Sequence, residues 1–134
     1  MKADSSYIWV TFQKEGIHRY PAAETDPRLK TGGPDDVSFL AYPHRHIFHF
    51  RVDIEVFHDD RDLEFIQEKR FMQGLYDQGI LDIDFMSCEM LANELFHKHL
   101  KQRYLSRPRR VVIEVSEDNE NGCRMYYDIK EYYL

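Results

Sequence analysis

Apolar and polar residues alternate along residues 38–57 more regularly than anywhere else in the chain. The even positions carry His46, Phe48, Phe50, Val52, Ile54 and Val56, and the odd positions carry His49, Arg51, Asp53 and Glu55. Alternation with a period of two over this length predicts a strand with one buried face and one face in solvent. His44 and His46 have the parity of the buried face, so we expect both at its N-terminal end.

Three further strands are predicted from segments rich in β-branched and aromatic residues. The first covers residues 7–12 and resumes at 17–20 after Gly16, the second covers 110–116, and the third covers 123–129. Residues 117–122 contain Asn121-Gly122, a pair that favours a tight hairpin turn. The last two strands are therefore predicted to form an antiparallel pair.

Two helices are predicted between the second and third strands. The first begins at Asp60 or Asp62 as N-cap and runs to about Gln78. The second begins after Ser87, with Glu89 in its first turn, where the helix dipole favours a negative charge. Its apolar residues are spaced three and four apart, as on one face of a helix: Cys88, Leu91, Ala92, Leu95 and Phe96.

The element order β-β-α-α-β-β predicts an α+β fold. Two pairs of strands flanking a pair of helices are typical of a four-stranded antiparallel sheet with both helices on one face. We expect a single domain over residues 1–134, since 134 residues fit one core without an internal boundary. Proline and glycine punctuate residues 21–36, which predicts a long loop there.

Charge and hydropathy argue against two classes of partner, nucleic acid and membrane. The net charge of −6 argues against sequence-independent binding of nucleic acid, which requires a basic face. No apolar run approaches the roughly 20 residues of a membrane helix, and the N-terminus lacks the apolar core of a signal peptide. We therefore expect a cytoplasmic protein without membrane contact. Cys88 and Cys123 form no CxxC pair, which favours reduced thiols.

The most specific candidate for chemistry is the segment His44-Arg45-His46. Residues two apart on a strand face the same side, so both imidazoles can meet one metal ion. His18, at the end of the first strand, becomes a third ligand if the first two strands pair. Three histidines with an open fourth position are the arrangement of catalytic zinc sites. The alternative is that these histidines are only hydrogen-bonded at the end of a sheet.

Three segments, together with the element order, carry a resemblance to a known family. His18 precedes His44-Arg45-His46-Ile47-Phe48, which continues into a strand; Met86-Ser87-Cys88-Glu89-Met90 begins the second helix; and the valine-rich strand from Val111 ends in Glu117-Asp118. In this order the segments resemble those of the tunnelling-fold, or T-fold, superfamily. The likeness is greatest to 6-pyruvoyl-tetrahydropterin synthase and 6-carboxy-tetrahydropterin synthase.

The resemblance implies zinc on His18, His44 and His46, and a ring-shaped ligand contacted by Glu117 and Glu89. A carboxylate such as Glu117 accepts two parallel hydrogen bonds, which matches the N–H and amino edge of a guanine- or pterin-like ring. The alternative for Glu117 is a solvated residue of an acidic turn with Asp118 and Glu120.

Two features of the family enzymes are missing from the sequence. Residues 39–43, before the first histidine of the pair, hold no catalytic cysteine, and residues 79–84 hold no Asp-His pair. The chain is therefore interpreted first as a T-fold protein that binds a purine-, pterin- or nucleotide-like molecule without the family reaction. One alternative is a zinc-dependent lyase of the pterin synthase type, and another is an interaction protein with a degenerate site.

Bare sheet edges and surplus tyrosines indicate self-association. Tyr126, Tyr127, Tyr132 and Tyr133 exceed what a core of this size hides, and exposed edges invite pairing with another copy. T-fold relatives close their sheets into a barrel, which implies a ring-like homo-oligomer with the ligand site at a subunit boundary. In the alternative, a monomer protects its edges with residues 21–36 and with the charged residues Arg51, Asp53 and Glu55.

Overall fold

The computed structural model describes residues 3–130, so Tyr132 and Tyr133 lie outside the described residues. Within this range the strands are β1 (Ser6–His18), β2 (His44–Val56), β3 (Leu81–Asp82), β4 (Arg109–Glu117) and β5 (Asn121–Ile129). The helices are α1 (Phe65–Gly74), α2 (Cys88–Leu95) and α3 (Lys101–Arg103), and the π-helical turn Phe96–Leu100 joins the last two. The long connection between β1 and β2 contains the 3-10 turns Pro21–Glu24 and Ser38–Ala41.

The strands form one sheet in the order β3-β1-β2-β4-β5. The pairs β1–β2, β2–β4 and β4–β5 are antiparallel, which confirms the predicted four-stranded antiparallel sheet. The predicted order β-β-α-α-β-β is not matched exactly, because β3 lies between α1 and α2 and pairs parallel to β1. Two residues are too few to produce an alternation that sequence analysis can detect.

One face of the sheet carries the core. Val10 on β1 faces Val52 on β2, which in turn faces Ile113 on β4, and all three are buried. The buried residues of the helices, among them Met72 of α1 and Leu95 of α2, belong to the same cluster. Both helices therefore cover the same face, as the alternation along β2 predicts. The opposite face is open and carries charged and aromatic side chains.

The starts of β2 and α1 differ from the sequence prediction. Residues 38–41 form a 3-10 turn instead of strand, because the Asp36 carboxylate accepts hydrogen bonds from the Ser38 amide (2.9 Å) and hydroxyl (2.7 Å). The N-cap of α1 is Glu64, whose side chain accepts from the Ile66 amide at 3.3 Å. Asp62, an expected N-cap, instead accepts from the Phe57 amide at 3.0 Å and fixes the chain after β2.

The start of α2 agrees with the prediction, whereas the course of β1 and the end of α1 differ from it. Ser87 is the N-cap of α2, as predicted, and its hydroxyl accepts from the Met90 amide at 3.1 Å. Gly16 does not interrupt β1, since it pairs with His46 on one side and with Leu81 on the other. Helix α1 ends at Gly74, earlier than Gln78.

The turn between β4 and β5 lies earlier than expected. It consists of residues 118–120, and Asp118 and Asn119 adopt positive φ angles of 56° and 59°. Asparagine and aspartate tolerate this left-handed conformation better than other residues with a side chain. Asn121 and Gly122 therefore begin β5 instead of forming the turn. Gly122 is still required, because a Cβ atom there would collide with the Val115 carbonyl oxygen.

None of the helices within residues 3–130 combines the length and the apolar content that crossing a membrane requires.

Candidate metal centre

Strand pairing brings the three predicted histidines together at one end of the buried face. His18 on β1 lies directly opposite His44 on β2, and His46 follows two residues along β2 on the same side. The ring centroids are 4.5 Å apart for His18 and His44, 4.9 Å for His44 and His46, and 5.3 Å for His18 and His46. One ring nitrogen of each histidine lies within 4.8 Å of the other two. The cluster can therefore hold a metal ion.

Backbone carbonyls fix the tautomers of two of the rings. The Nδ1 atom of His18 lies 2.9 Å from the Met86 carbonyl oxygen, and that of His44 lies 2.8 Å from the Tyr42 carbonyl oxygen. A carbonyl oxygen only accepts hydrogen bonds, so each Nδ1 must carry the proton. In the neutral imidazole this leaves the lone pair on Nε2, the nitrogen available to a metal.

The tautomer of the third ring, that of His46, is fixed by a carboxylate. The Nδ1 atom of His46 donates to the Asp118 carboxylate at 2.7 Å, and the second oxygen of that carboxylate accepts from the Ile47 amide at 2.8 Å. The hydrogen bond from His46, followed by that from Ile47, holds the pKa of Asp118 below its ordinary value. Asp118 thus remains a carboxylate that orients His46, as carboxylates do behind zinc-bound histidines.

Two buried nitrogen atoms fit the presence of a metal. The Nε2 atoms of His18 and His46 are shielded from solvent and have no hydrogen-bond partner in the described part of the chain. Glu117 lies close, with one oxygen 2.9 Å from His46 Nε2 and the other 3.8 Å from His18 Nε2. The short distance to His46 is not a hydrogen bond, because the neutral ring that donates through Nδ1 to Asp118 carries no proton on Nε2. A buried lone pair without a donor is satisfied by a cation.

The donor set suits zinc. Neutral imidazoles are preferred ligands of Zn²⁺, and three of them leave one of four tetrahedral positions open. The Glu117 carboxylate lies beside the histidines, 2.9 Å from His46 Nε2, and could either act as a further ligand or accept hydrogen bonds from a molecule bound at the metal. Either role depends on the position of Glu117 at the end of β4, where it lies opposite Phe48 on β2.

Cys88 lies next to the centre and is buried. Its Sγ atom is 4.0 Å from a Glu117 oxygen. Burial, followed by the nearby negative charge of Glu117, raises the pKa of the Cys88 thiol to about 12. A thiol with a pKa this high is protonated at neutral pH.

The structure brings Glu117 to the histidines, whereas no contact joins Glu89 to them within residues 3–130. Glu89 is exposed in the first turn of α2, and it makes no hydrogen bond or ion pair with any residue between 3 and 130. Its role as a ligand contact stays a prediction. The sequence predicts Asp118, which orients His46, only as part of an acidic turn. A signal could have identified Asp118. It is a carboxylate in the hairpin turn after β4, and β4 pairs with the strand that carries the histidines.

No protein-family model matches the chain, and no curated protein is significantly similar to it.

Proposed function

We propose that the chain is a zinc-binding protein of the T-fold type that holds a small heterocyclic ligand at its metal centre. The observation that carries the proposal is the convergence of three histidines whose Nδ1 atoms are all engaged by acceptors behind them. One ring nitrogen of each histidine lies within 4.8 Å of the other two, and the arrangement resembles the open zinc sites that accept an exchangeable fourth ligand. The resemblance to pterin synthases in sequence supports the same class of function.

The ligand class follows from the open position and from Glu117. Zinc supplies a Lewis acid that takes a carbonyl oxygen or ring nitrogen of the ligand. The Glu117 carboxylate is 29% exposed, and its two oxygens could accept hydrogen bonds from the N–H and amino groups of one ring edge. Pterins and guanine-like purines carry this edge beside a carbonyl group.

Binding of pterin and of guanine to the zinc-loaded chain tests the proposal. Calorimetry should show binding with one site per chain, and Glu117→Gln should weaken it about tenfold or more, because an amide accepts through only one oxygen. Glu120→Gln is the matched control, since Glu120 is exposed in the neighbouring turn and should leave affinity unchanged. If neither compound binds, or if both variants behave alike, the proposed ligand class is wrong.

A lyase acting on a tetrahydropterin precursor is the second candidate. The three-histidine centre supports it, but the high pKa of Cys88 leaves the reaction without the thiolate that the resemblance calls for. Binding without the family reaction is therefore the function that the geometry supports best.

Self-association belongs to the same proposal. Strand β5 pairs only with β4 among the described strands, and β3 covers β1 at only two residues. Both edges of the sheet therefore expose backbone hydrogen-bonding groups. Tyr126 is 73% exposed on the open face, next to β5's free edge. A second copy offers the complementary edges that a closed ring requires.

Light scattering at micromolar concentration measures the assembly. We expect a mass several times the 16.2 kDa of one chain, in a sharp peak that keeps its mass on dilution. A peak near 16 kDa at all concentrations would show that the edges are not used and that the site lies within one chain.

A further inference from the structure

The open face of the sheet, opposite the face that carries the histidines, holds a groove of about 800 Å³. This volume lies within the range of small-molecule sites, about 300–1,000 Å³. Strand register places one row of its lining residues side by side across β1, β2, β4 and β5, in the order Thr11, Arg51, Glu114 and Arg124. The first strand begins at Ser6 and the last ends at Ile129, each five residues from this row, a span of about 17 Å. The groove is therefore distant from both ends of the described chain.

The charged groups of this row hold one another in place. Glu114 accepts from Arg124 through one carboxylate oxygen, at 2.7 and 3.1 Å, and its other oxygen lies 3.7 Å from the Arg51 guanidinium. Arg51 also donates to Asp53 at 2.9 Å. Two arginines and two carboxylates thus form a band across the sheet without net formal charge. A free anion or cation gains little from such a band, because either one meets a like charge there.

The band suits hydroxyl groups better than ions. Guanidinium and carboxylate groups carry more N–H bonds and lone pairs than these internal contacts use. A hydroxyl group both donates and accepts, so two adjacent hydroxyls of one ligand can bond a carboxylate oxygen and a guanidinium side by side. Neutral hydroxyl and amide side chains line the groove on the same face: Thr11, Gln13 and Ser116.

Trp9 adds an apolar surface beside the band. It lies two residues before Thr11 on β1 and therefore on the same face of the sheet. The Arg51 guanidinium carbon is 4.5 Å from the centroid of its ring, which fixes the indole against the sheet, and Trp9 stays 53% exposed. One side of a sugar ring carries mainly C–H groups, and such a side packs on an aromatic ring as other apolar surfaces do.

We propose that this groove binds a neutral oligosaccharide, at a site separate from the metal centre. A chain of hexoses presents both surfaces that the groove can meet. Its hydroxyl groups match the band of Arg51, Glu114 and Arg124, and its C–H faces match Trp9. The site does not depend on the heterocyclic ligand proposed for the histidines, because the two lie on opposite sides of the sheet.

An array of neutral and acidic oligosaccharides, probed with the labelled chain, tests the class of ligand. We expect binding to neutral members and weaker binding to sialylated and sulfated ones, because Glu114 and Asp53 repel added negative charge. The neutral oligosaccharide bound best is then titrated in solution, once with zinc and once with a chelator. Trp9 is the only tryptophan of the chain, so its fluorescence should change saturably as the groove fills. Equal affinities with zinc and with chelator are expected of a site apart from the metal centre.

Glu114→Gln should weaken this binding about tenfold or more, because it removes the carboxylate that both arginines contact. Glu15→Gln is the matched control. Glu15 lies on the same open face and pairs with Arg45 at 2.8 Å, and its side chain is 32% exposed against 33% for Glu114, but it is not among the residues that line the groove. Its replacement should change the affinity by less than about twofold.

Gln13→Ala is a second variant that keeps the test decisive if Glu114→Gln fails to fold, which circular dichroism checks. Gln13 is exposed on the groove floor, and its loss should weaken binding about fivefold, the effect of one neutral hydrogen bond. The proposal is overturned if no neutral oligosaccharide binds or if acidic ones bind more tightly. Loss of binding with the chelator would assign it to the metal centre instead, and equal affinities of Glu114→Gln and Glu15→Gln would exclude the groove.

Discussion

We expect His46→Gln to lower the affinity of the chain for zinc by about a hundredfold or more, if the proposed centre holds that ion. Removing one of three ligands lowers metal affinity at least as much as removing a group hydrogen-bonded to a ligand, which typically lowers it ten- to a hundredfold. His46 is also the ring with a carboxylate behind it, so its loss removes the strongest of the three donors. Competition with a chelator of known affinity measures the change. In the wild type, zinc at about a hundred times its dissociation constant should raise the free energy of unfolding by about 2.7 kcal/mol.

Two further variants separate ligands from neighbours. Asp118→Asn leaves all three rings but weakens the acceptor behind His46, and it should lower zinc affinity about ten- to a hundredfold. His49→Gln is the matched control, because His49 lies on the same strand but on the open face, opposite Gln13. A wild type that binds no zinc, or a His49→Gln variant that loses as much affinity as His46→Gln, would contradict the assignment of the centre.

The histidine centre could be predicted because it depends on strand geometry. Alternation along β2 fixes the side to which His44 and His46 point, and a pairing of the first two strands brings His18 to them. Both features follow from a period of two, which is the most regular signal in the sequence. His18 lies opposite His44, which confirms the pairing of the first two strands.

The groups behind the histidines could not be predicted in the same way. Two of the three acceptors are backbone carbonyls, at Tyr42 and Met86, and a carbonyl carries no residue-specific signal. Asp118 reaches His46 because the turn begins one residue after Glu117, whereas Asn121-Gly122 favoured a turn placed later. The left-handed conformation of Asp118 and Asn119 competes with that signal, and tertiary contact with β2 decides between them.

A buried ion network joins α1 to the end of the helical segment, and sequence analysis missed it. Glu68, with a side chain 5% exposed, accepts from Arg103 through both carboxylate oxygens, at 2.8 and 3.1 Å. It also accepts from the Tyr104 hydroxyl at 2.6 Å. Hydrophobic periodicity predicts apolar helix faces. It cannot predict a buried glutamate on the inner face of α1, because the partners of Glu68 are 35 and 36 residues away in the sequence.

Glu68→Gln should lower the free energy of unfolding at pH 7 by about 2–3 kcal/mol, since it leaves Arg103 without its charge partner. Burial acts to raise the pKa of Glu68, but the hydrogen bonds from Arg103 and Tyr104 outweigh it, so the pKa lies below its ordinary value. A carboxyl with a lowered pKa stabilises the fold above its unfolded pKa and loses this contribution as pH falls through its folded pKa. Urea denaturation between pH 7 and pH 3 should therefore show a difference from wild type that is largest above about pH 4.5 and shrinks below it.

The matched control for this prediction is Glu24→Gln. Glu24 also carries an ion pair, with Lys30 at 3.3 Å, but the two side chains are 42% and 53% exposed, so its replacement should change stability by less than about 0.5 kcal/mol at any pH. A loss in Glu68→Gln that stays constant from pH 7 to pH 3 would mean that packing, and not the carboxylate charge, is responsible. A loss no greater than that of Glu24→Gln would mean that the desolvation of Glu68 cancels its bonds to Arg103 and Tyr104, as happens in many buried ion pairs.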